Sequence, residues 1–195
     1  MHRNLCRILI KYTAVFIATV GVLLGLLCLA AKIPREAIKK HVLESAEYLC
    51  ESEQFEDVIE GVDGSRIDHY ADAVLLNIAW SYDVRYPLRS VMLSAYYYSP
   101  YHPETENLLI SVSDGRDPNQ QYLRYWHGSI AIVRPLLTMM SVRWIYIFNG
   151  TVLCLLFVIL MVMLIRLGEP ILALGVFLGL TMTAWWFVPL SLEYT

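Results

Sequence analysis

The sequence predicts a mainly α-helical membrane protein: three transmembrane helices, with a mostly helical extracytoplasmic domain between the first and second. Three observations predict it. Of the 195 residues 57% are hydrophobic and 17% charged, against about 45–50% and about 25% in ordinary soluble domains. The stretch Tyr12–Ala31 holds no charged residue, and twenty helical residues make about 30 Å, the thickness of a bilayer's hydrocarbon core. Two more apolar runs, Ile145–Ile165 and Pro170–Leu190, lie back to back near the C-terminus. A net charge of -3 excludes a strongly basic nucleic-acid binder, so no nucleic-acid partner is expected.

Residues 1–11 form the expected cytoplasmic N-terminus. Arg3, Arg7 and Lys11 stand there with no acidic residue among them. Residues 12–31 are the first span. A cleaved signal peptide ending near Cys28-Leu29-Ala30-Ala31 is the rival, but its apolar region is usually shorter, about 7–15 residues. Residues 32–144 are the extracytoplasmic loop; between Lys32 and Arg143 it carries eleven Lys/Arg and sixteen Asp/Glu. Long loops translocate largely regardless of charge, so the short basic N-terminus sets the orientation. Residues 145–165 are the second span, 166–169 a tight cytoplasmic turn with Arg166, and 170–190 the third span. Trp144, Tyr146, Trp185 and Trp186 sit where interfacial aromatics belong. The ending 191–195, Ser-Leu-Glu-Tyr-Thr, has no charged tail and suggests a fragment of a longer chain. The expected location is the plasma (inner) membrane, and the first partner is the lipid bilayer.

Inside the loop, Pro34 suits the first turn of a helix, and Ile38, Val42, Ala46 and Leu49 recur at helical spacing. That helix either packs on its own domain or lies on the lipid surface. The acidic run Glu51–Glu60 reads as a solvated face. Cys50 is the one cysteine in the loop, so no disulfide forms within it. Cys6 is placed for juxtamembrane acylation, with an unmodified thiol the plainer reading. Asp63-Gly64 signals a turn. A second helix is expected from Arg66 to Trp80, capped by Ser65. Leu108–Val112 is the best strand candidate.

Candidate chemistry lies in three places. In Asp68-His69-Tyr70-Ala71-Asp72 two carboxylates flank a titratable histidine on one helix face. One could act as a base and the other orient a divalent cation; equally, they are a helix cap and an exposed charged face. In Tyr96–Pro103, Tyr98, Tyr101 and His102 offer aromatic faces and polar handles that suit a sugar, a headgroup or the bilayer interface. In Tyr122–Leu137, His127 sits between Trp126 and Gly128, while Arg124 and Arg134 could hold lipid phosphates or anchor at the interface. No Walker, G-x-S-x-G, H-E-x-x-H or CxxC motif occurs, and no metal site is expected from spacing. The three spans hold no internal charged residue or histidine, which argues against an ion path.

The layout of one span, a large outside loop and further spans resembles that of GT-C-type polytopic glycosyltransferases. The resemblance implies glycosyl transfer from a lipid-linked sugar, with Asp68 and Asp72 as base or cation contacts and the segment from Arg124 to Leu137 as the approach to the second span. The segments Asp68–Trp80 and Tyr125–Leu137 also resemble uncharacterised bacterial polytopic membrane proteins, which implies no activity. Two functional classes therefore stay open: an envelope protein whose outside domain binds a ligand or another membrane protein, and a GT-C-like enzyme or its N-terminal part.

Overall fold

The structure is a computed structural model that describes residues 2–62, 65–183 and 185–192, with side chains from Arg7 onward. The Asp63-Gly64 turn, the tail Glu193–Thr195 and the side chains of Arg3 and Cys6 lie outside the described residues. The chain is mainly helical: α1 His2–Ala31, α2 Arg35–Cys50, α3 His69–Ser81, α4 Pro87–Leu93, α5 Glu104–Ser113, α6 Ile130–Leu136, α7 Val142–Arg166 and α8 Pro170–Met182, followed by a 3-10 helix over Trp185–Leu190. Two dipeptide strands, β1 Ala95–Tyr96 and β2 Gln120–Gln121, pair antiparallel, with Ala95 opposite Gln121.

Among the described residues, two helices are long and apolar enough to cross a membrane, Arg7–Ala31 and Val142–Arg166. Each has 25 residues, about 37 Å at 1.5 Å per residue. Their most apolar windows are 17% and 0% buried, so neither is packed into the core of this chain. The last turns of α1 are the exception. Leu27, Ala30 and Ala31 are buried, and α1 packs against α6 and α4.

The domain between these helices is built around α3. From Asp72 to Ser81 every residue of that helix is buried, because α2 and α5 flank it and β1 and α6 also reach it. The stripe foreseen on α2 is its inward face: Ile38, Val42, Ala46 and Leu49 are fully buried. That decides between packing and lipid contact in favour of packing. Ile38, Val42 and Leu49 each contribute about 1.5–3 kcal/mol by leaving water, and Ala46 less.

Three expectations are corrected. The helix expected from Arg66 begins at His69, and its cap is Asp68, whose carboxylate accepts from the Ala71 amide at 2.8 Å. Ser65 instead closes the preceding loop, donating to the Val62 carbonyl at 2.8 Å and accepting from the Ile59 amide at 3.0 Å. The candidate strand Leu108–Val112 lies within α5, whose acidic first turn, Glu104 and Glu106, favours a helix start. The apolar run 170–190 is not one helix. Regular α-helix ends at Met182, Thr183 Oγ1 donates back to the Leu180 carbonyl, and the chain continues as the 3-10 helix containing Pro189.

The turn after α7 matches its sequence signal. Gly168 takes φ +81, a conformation that favours glycine. Its amide donates to Ile165, and the Glu169 amide donates to Leu164 at 3.0 Å, closing the helix with the paired bonds of a Schellman motif. Pro170 then opens α8. The chain returns along α7: Phe157 stacks on Phe177 and lies 5.3 Å from Trp185 between ring centroids, and a Cβ at Gly150 would stand 3.6 Å from Pro189.

Arg134 on α6 is fully buried and closes the other end of the domain. Its guanidinium donates to the Ala79 carbonyl near the end of α3 and, at 2.6 Å, to the Ile33 carbonyl between α1 and α2. We predict that Arg134→Met leaves both carbonyls unpartnered and lowers stability by about 2–4 kcal/mol. Chemical denaturation of the detergent-solubilised protein checks this; an unchanged midpoint refutes the clamp.

Candidate functional site

The two ends of α3 carry opposite polar fittings. At its C-terminal end, where carbonyls lack intrahelical donors, Arg35 donates to the Ser81 carbonyl at 2.8 Å and lies over the Trp80 ring at 5.8 Å. Arg134 serves Ala79 and faces the Tyr82 ring at 5.3 Å. Burial brings the Arg134 guanidinium down to about 10, still charged at neutral pH.

At the N-terminal end Asp72 is fully buried. Its Oδ2 accepts from the Tyr146 hydroxyl on α7. Its Oδ1 accepts from Ser191 Oγ at 3.0 Å and from the Leu192 amide at 2.8 Å. Desolvation pushes the carboxyl up to about 7, although all three donors favour the charged form. This carboxylate therefore ties α3, the start of α7 and the C-terminal segment to one point. His69 is buried beside it in sequence. Its Nδ1 meets Ser52 Oγ at 3.0 Å and its ring lies edge-on to Tyr48 at 6.1 Å. Burial lowers its pKa, so the ring is neutral near pH 7. Asp68 is occupied as the helix cap. The exposed-face reading of Asp72 is thus corrected: the residue lies on the inward side of α3 and serves as an anchor. Among the described residues no group of three His, Cys, Asp or Glu side chains is placed to hold a metal ion.

The tyrosine-rich segment is pegged by asparagines that the sequence analysis did not single out. The Asn77 side chain holds both backbone groups of Tyr97, and that of Asn119 both backbone groups of Tyr98. Asn107 binds the Ser99 amide and the Ser99 and His102 carbonyls. Asn77 was discoverable, as the single amide within the apolar run from Ala73 to Trp80. Tyr101 is 89% exposed, and His102 pairs with Glu106 at 2.9 Å on the surface. Tyr98 is half-buried against Tyr96. None of these three residues accompanies His127 in the lining of its cavity.

Residues Tyr122–Gly128 form an aromatic strap with a cavity on each side. The inner cavity, of about 320 Å³, lies against α3 and is lined by Tyr70, Val74, Leu75, Trp126 and His127, with Leu192 at its edge. His127 packs 5.2 Å from the Tyr122 ring, and its Nε2 is buried without a hydrogen-bond partner among the described residues. Burial lowers its pKa, so near neutral pH the ring can offer one donor and one acceptor. Trp126 is 54% exposed. Arg124, also on the strap, is exposed and lies over the Tyr125 ring at 5.1 Å. The other arginine expected to meet phosphate, Arg134, is corrected: it is buried and occupied by backbone carbonyls. Compared with family models, curated proteins and solved structures, the chain matches none.

The raised carboxyl of Asp72 makes a pH prediction. Between its ordinary value of 3.8 and about 7 the native state holds a proton that the unfolded chain has released. This contribution to stability is complete below pH 3.8 and is lost as pH rises to about 7. Asp72→Asn keeps the shape and a carbonyl acceptor, so we predict that it flattens the fall in stability from pH 4 to pH 7 by a few kcal/mol. Denaturation of both proteins across that range checks it; parallel pH curves refute it.

Proposed function

We propose that this chain is an integral membrane protein of the cell envelope whose outside domain binds an amphiphilic ligand in the cavity under the aromatic strap. The carrying observation is that cavity: aromatic and aliphatic walls, with the unpartnered Nε2 of a neutral His127 among them. Ligand sites are mostly apolar concavities with a few placed polar groups. The strap supplies the polar handles, and the exposed Trp126 stands at its surface.

Several features support membrane insertion. Arg7–Ala31 and Val142–Arg166 display long apolar surfaces that water does not tolerate at this extent. The buried end of α1 supports an uncleaved anchor over a signal peptide, because Leu27 and Ala31 belong to the domain's core. The return of the chain from Gly168 to Leu192 along α7 supports a third crossing. Thirteen α-helical residues and six 3-10 residues together rise about 32 Å. The basic N-terminus supports a cytoplasmic start and an outside domain in the plasma membrane.

Glycosyl transfer would need a carboxylate within reach of a bound acceptor or donor. Asp68 and Asp72 are both engaged by backbone or side-chain donors and line neither cavity of the strap, so ligand binding without transfer is the reading we adopt.

Two experiments test this. In a cysteine-free background, Asp114→Cys is expected to react with a membrane-impermeant maleimide in intact cells, and Leu167→Cys only after permeabilisation. The reverse pattern overturns the topology. For the site, pyrene-dodecanoic acid should quench tryptophan emission saturably. Val74→Phe, which fills the cavity, and His127→Leu should each weaken its binding about tenfold, equivalent to about 1.4 kcal/mol. Unchanged affinity in both variants refutes the cavity as the site.

A further inference from the structure

The outer face of the strap bears a second crevice, of about 440 Å³, between α1, α4 and residues Tyr122–Trp126. Its apolar wall is made by Val20 and Leu24 of α1, Val91 and Met92 of α4, and Leu123. The only charged side chain lining it is Arg124. Tyr122, Tyr125 and Trp126 line this crevice and the inner cavity alike.

We infer that this crevice holds an acyl chain of an anionic phospholipid taken from the bilayer, with the lipid phosphate on Arg124. The inference rests on the proposed membrane reading and names the ligand class of the strap. Three observations carry it. First, the crevice is walled by a membrane-crossing helix. Leu24 lies one turn before Leu27, where α1 passes from its exposed length into the domain's core, so the crevice opens where headgroups meet acyl chains. Second, the surface around the crevice is apolar and bare: Leu123 is 66% exposed and Met92 62%. Such side chains find partners in acyl chains rather than in water. Third, among the described residues Arg124 has no acidic partner; its guanidinium lies over the Tyr125 ring. A guanidinium so placed is complementary to a phosphate, which it can engage through two parallel N–H donors. A zwitterionic headgroup adds a cation beside that phosphate and is the poorer match.

The test uses the full chain in detergent micelles, titrated with dioleoyl phosphatidylglycerol or dioleoyl phosphatidylcholine and read by native mass spectrometry. The wild type should retain one phosphatidylglycerol per chain saturably, with a preference of about five- to tenfold over phosphatidylcholine. Arg124→Gln should erase that preference, lowering the occupancy by phosphatidylglycerol more than that by phosphatidylcholine, which shares the phosphate but presents a cation beside it. Arg124→Lys should keep part of it. Leu24→Trp, which fills the crevice, should lower the occupancy of both lipids. The proposal is overturned if Arg124→Gln keeps the preference, or if folded Leu24→Trp keeps its lipid; either result means non-specific annular lipid. Should Leu24→Trp fail to fold, the exposed Arg124 pair decides alone. A wild type that binds pyrene-dodecanoic acid but shows no headgroup preference refutes the phospholipid while sparing the cavity. One that takes up neither refutes both.

Discussion

A helix buried on every side must find partners for its terminal backbone groups, and α3 is such a helix. The rest of the domain is arranged around that requirement. The free carbonyls at its C-terminal end are met by Arg35 and Arg134, which come from α2 and α6. Arg134 also holds the Ile33 carbonyl between α1 and α2. Satisfying one helix end therefore fixes where the first long apolar helix stops and how α6 crosses it. At the other end the side chain of Asp68 caps the helix, and Asp72 gathers donors from α7 and from the C-terminal segment. An arginine with two carbonyls and a carboxylate with three donors thus connect the domain to both long apolar helices.

The two clamps differ in their electrostatics. Arg134 remains charged at neutral pH, because even a guanidinium lowered to about 10 stays protonated there, and it points at carbonyls that carry the negative end of a helix dipole. Asp72 sits near the positive end of the same dipole, yet burial outweighs the dipole and its hydrogen bonds. The result is a carboxyl that titrates near physiological pH while holding three separate parts of the chain. The ionised form accepts all three bonds but is costly to bury; the neutral form is cheap to bury but must give one oxygen a proton. Helix α3 is consequently locked at one end and adjustable at the other.

How much of this was legible follows from range. The apolar runs, the stripe Ile38–Leu49 and the Gly168-Pro170 turn depend on neighbours within a few residues, and the sequence displays them. The start of α3 was misplaced because Ser65 and Asp68 are both good caps, and only the loop from Ile59 to Ser65 decides between them. Leu108–Val112 has strand-like composition, but contacts from α2 and α3 make it helical. Arg134 and Asp72 were misread for one reason: their partners lie 55 and more than 70 residues away in the chain. A charged residue next to a membrane segment invites an interfacial reading. Only the fold shows that the charge points inward.

The aromatic strap is the part that composition singled out most directly. Trp126, His127 and Arg124 were selected for their chemistry, and the fold adds the second wall of each cavity: Tyr70, Val74 and Leu75 from α3, Val20 and Leu24 from α1. A strap seven residues long cannot bury both of its faces by itself. Its inner face is supported by α3, around which the domain is built, and its outer face by the long apolar helix α1. Tyr122, Tyr125 and Trp126 are therefore walls of both cavities at once. Leu192 borders the inner cavity and its amide is held by Asp72, so the buried carboxyl reaches the wall of that cavity through a single residue.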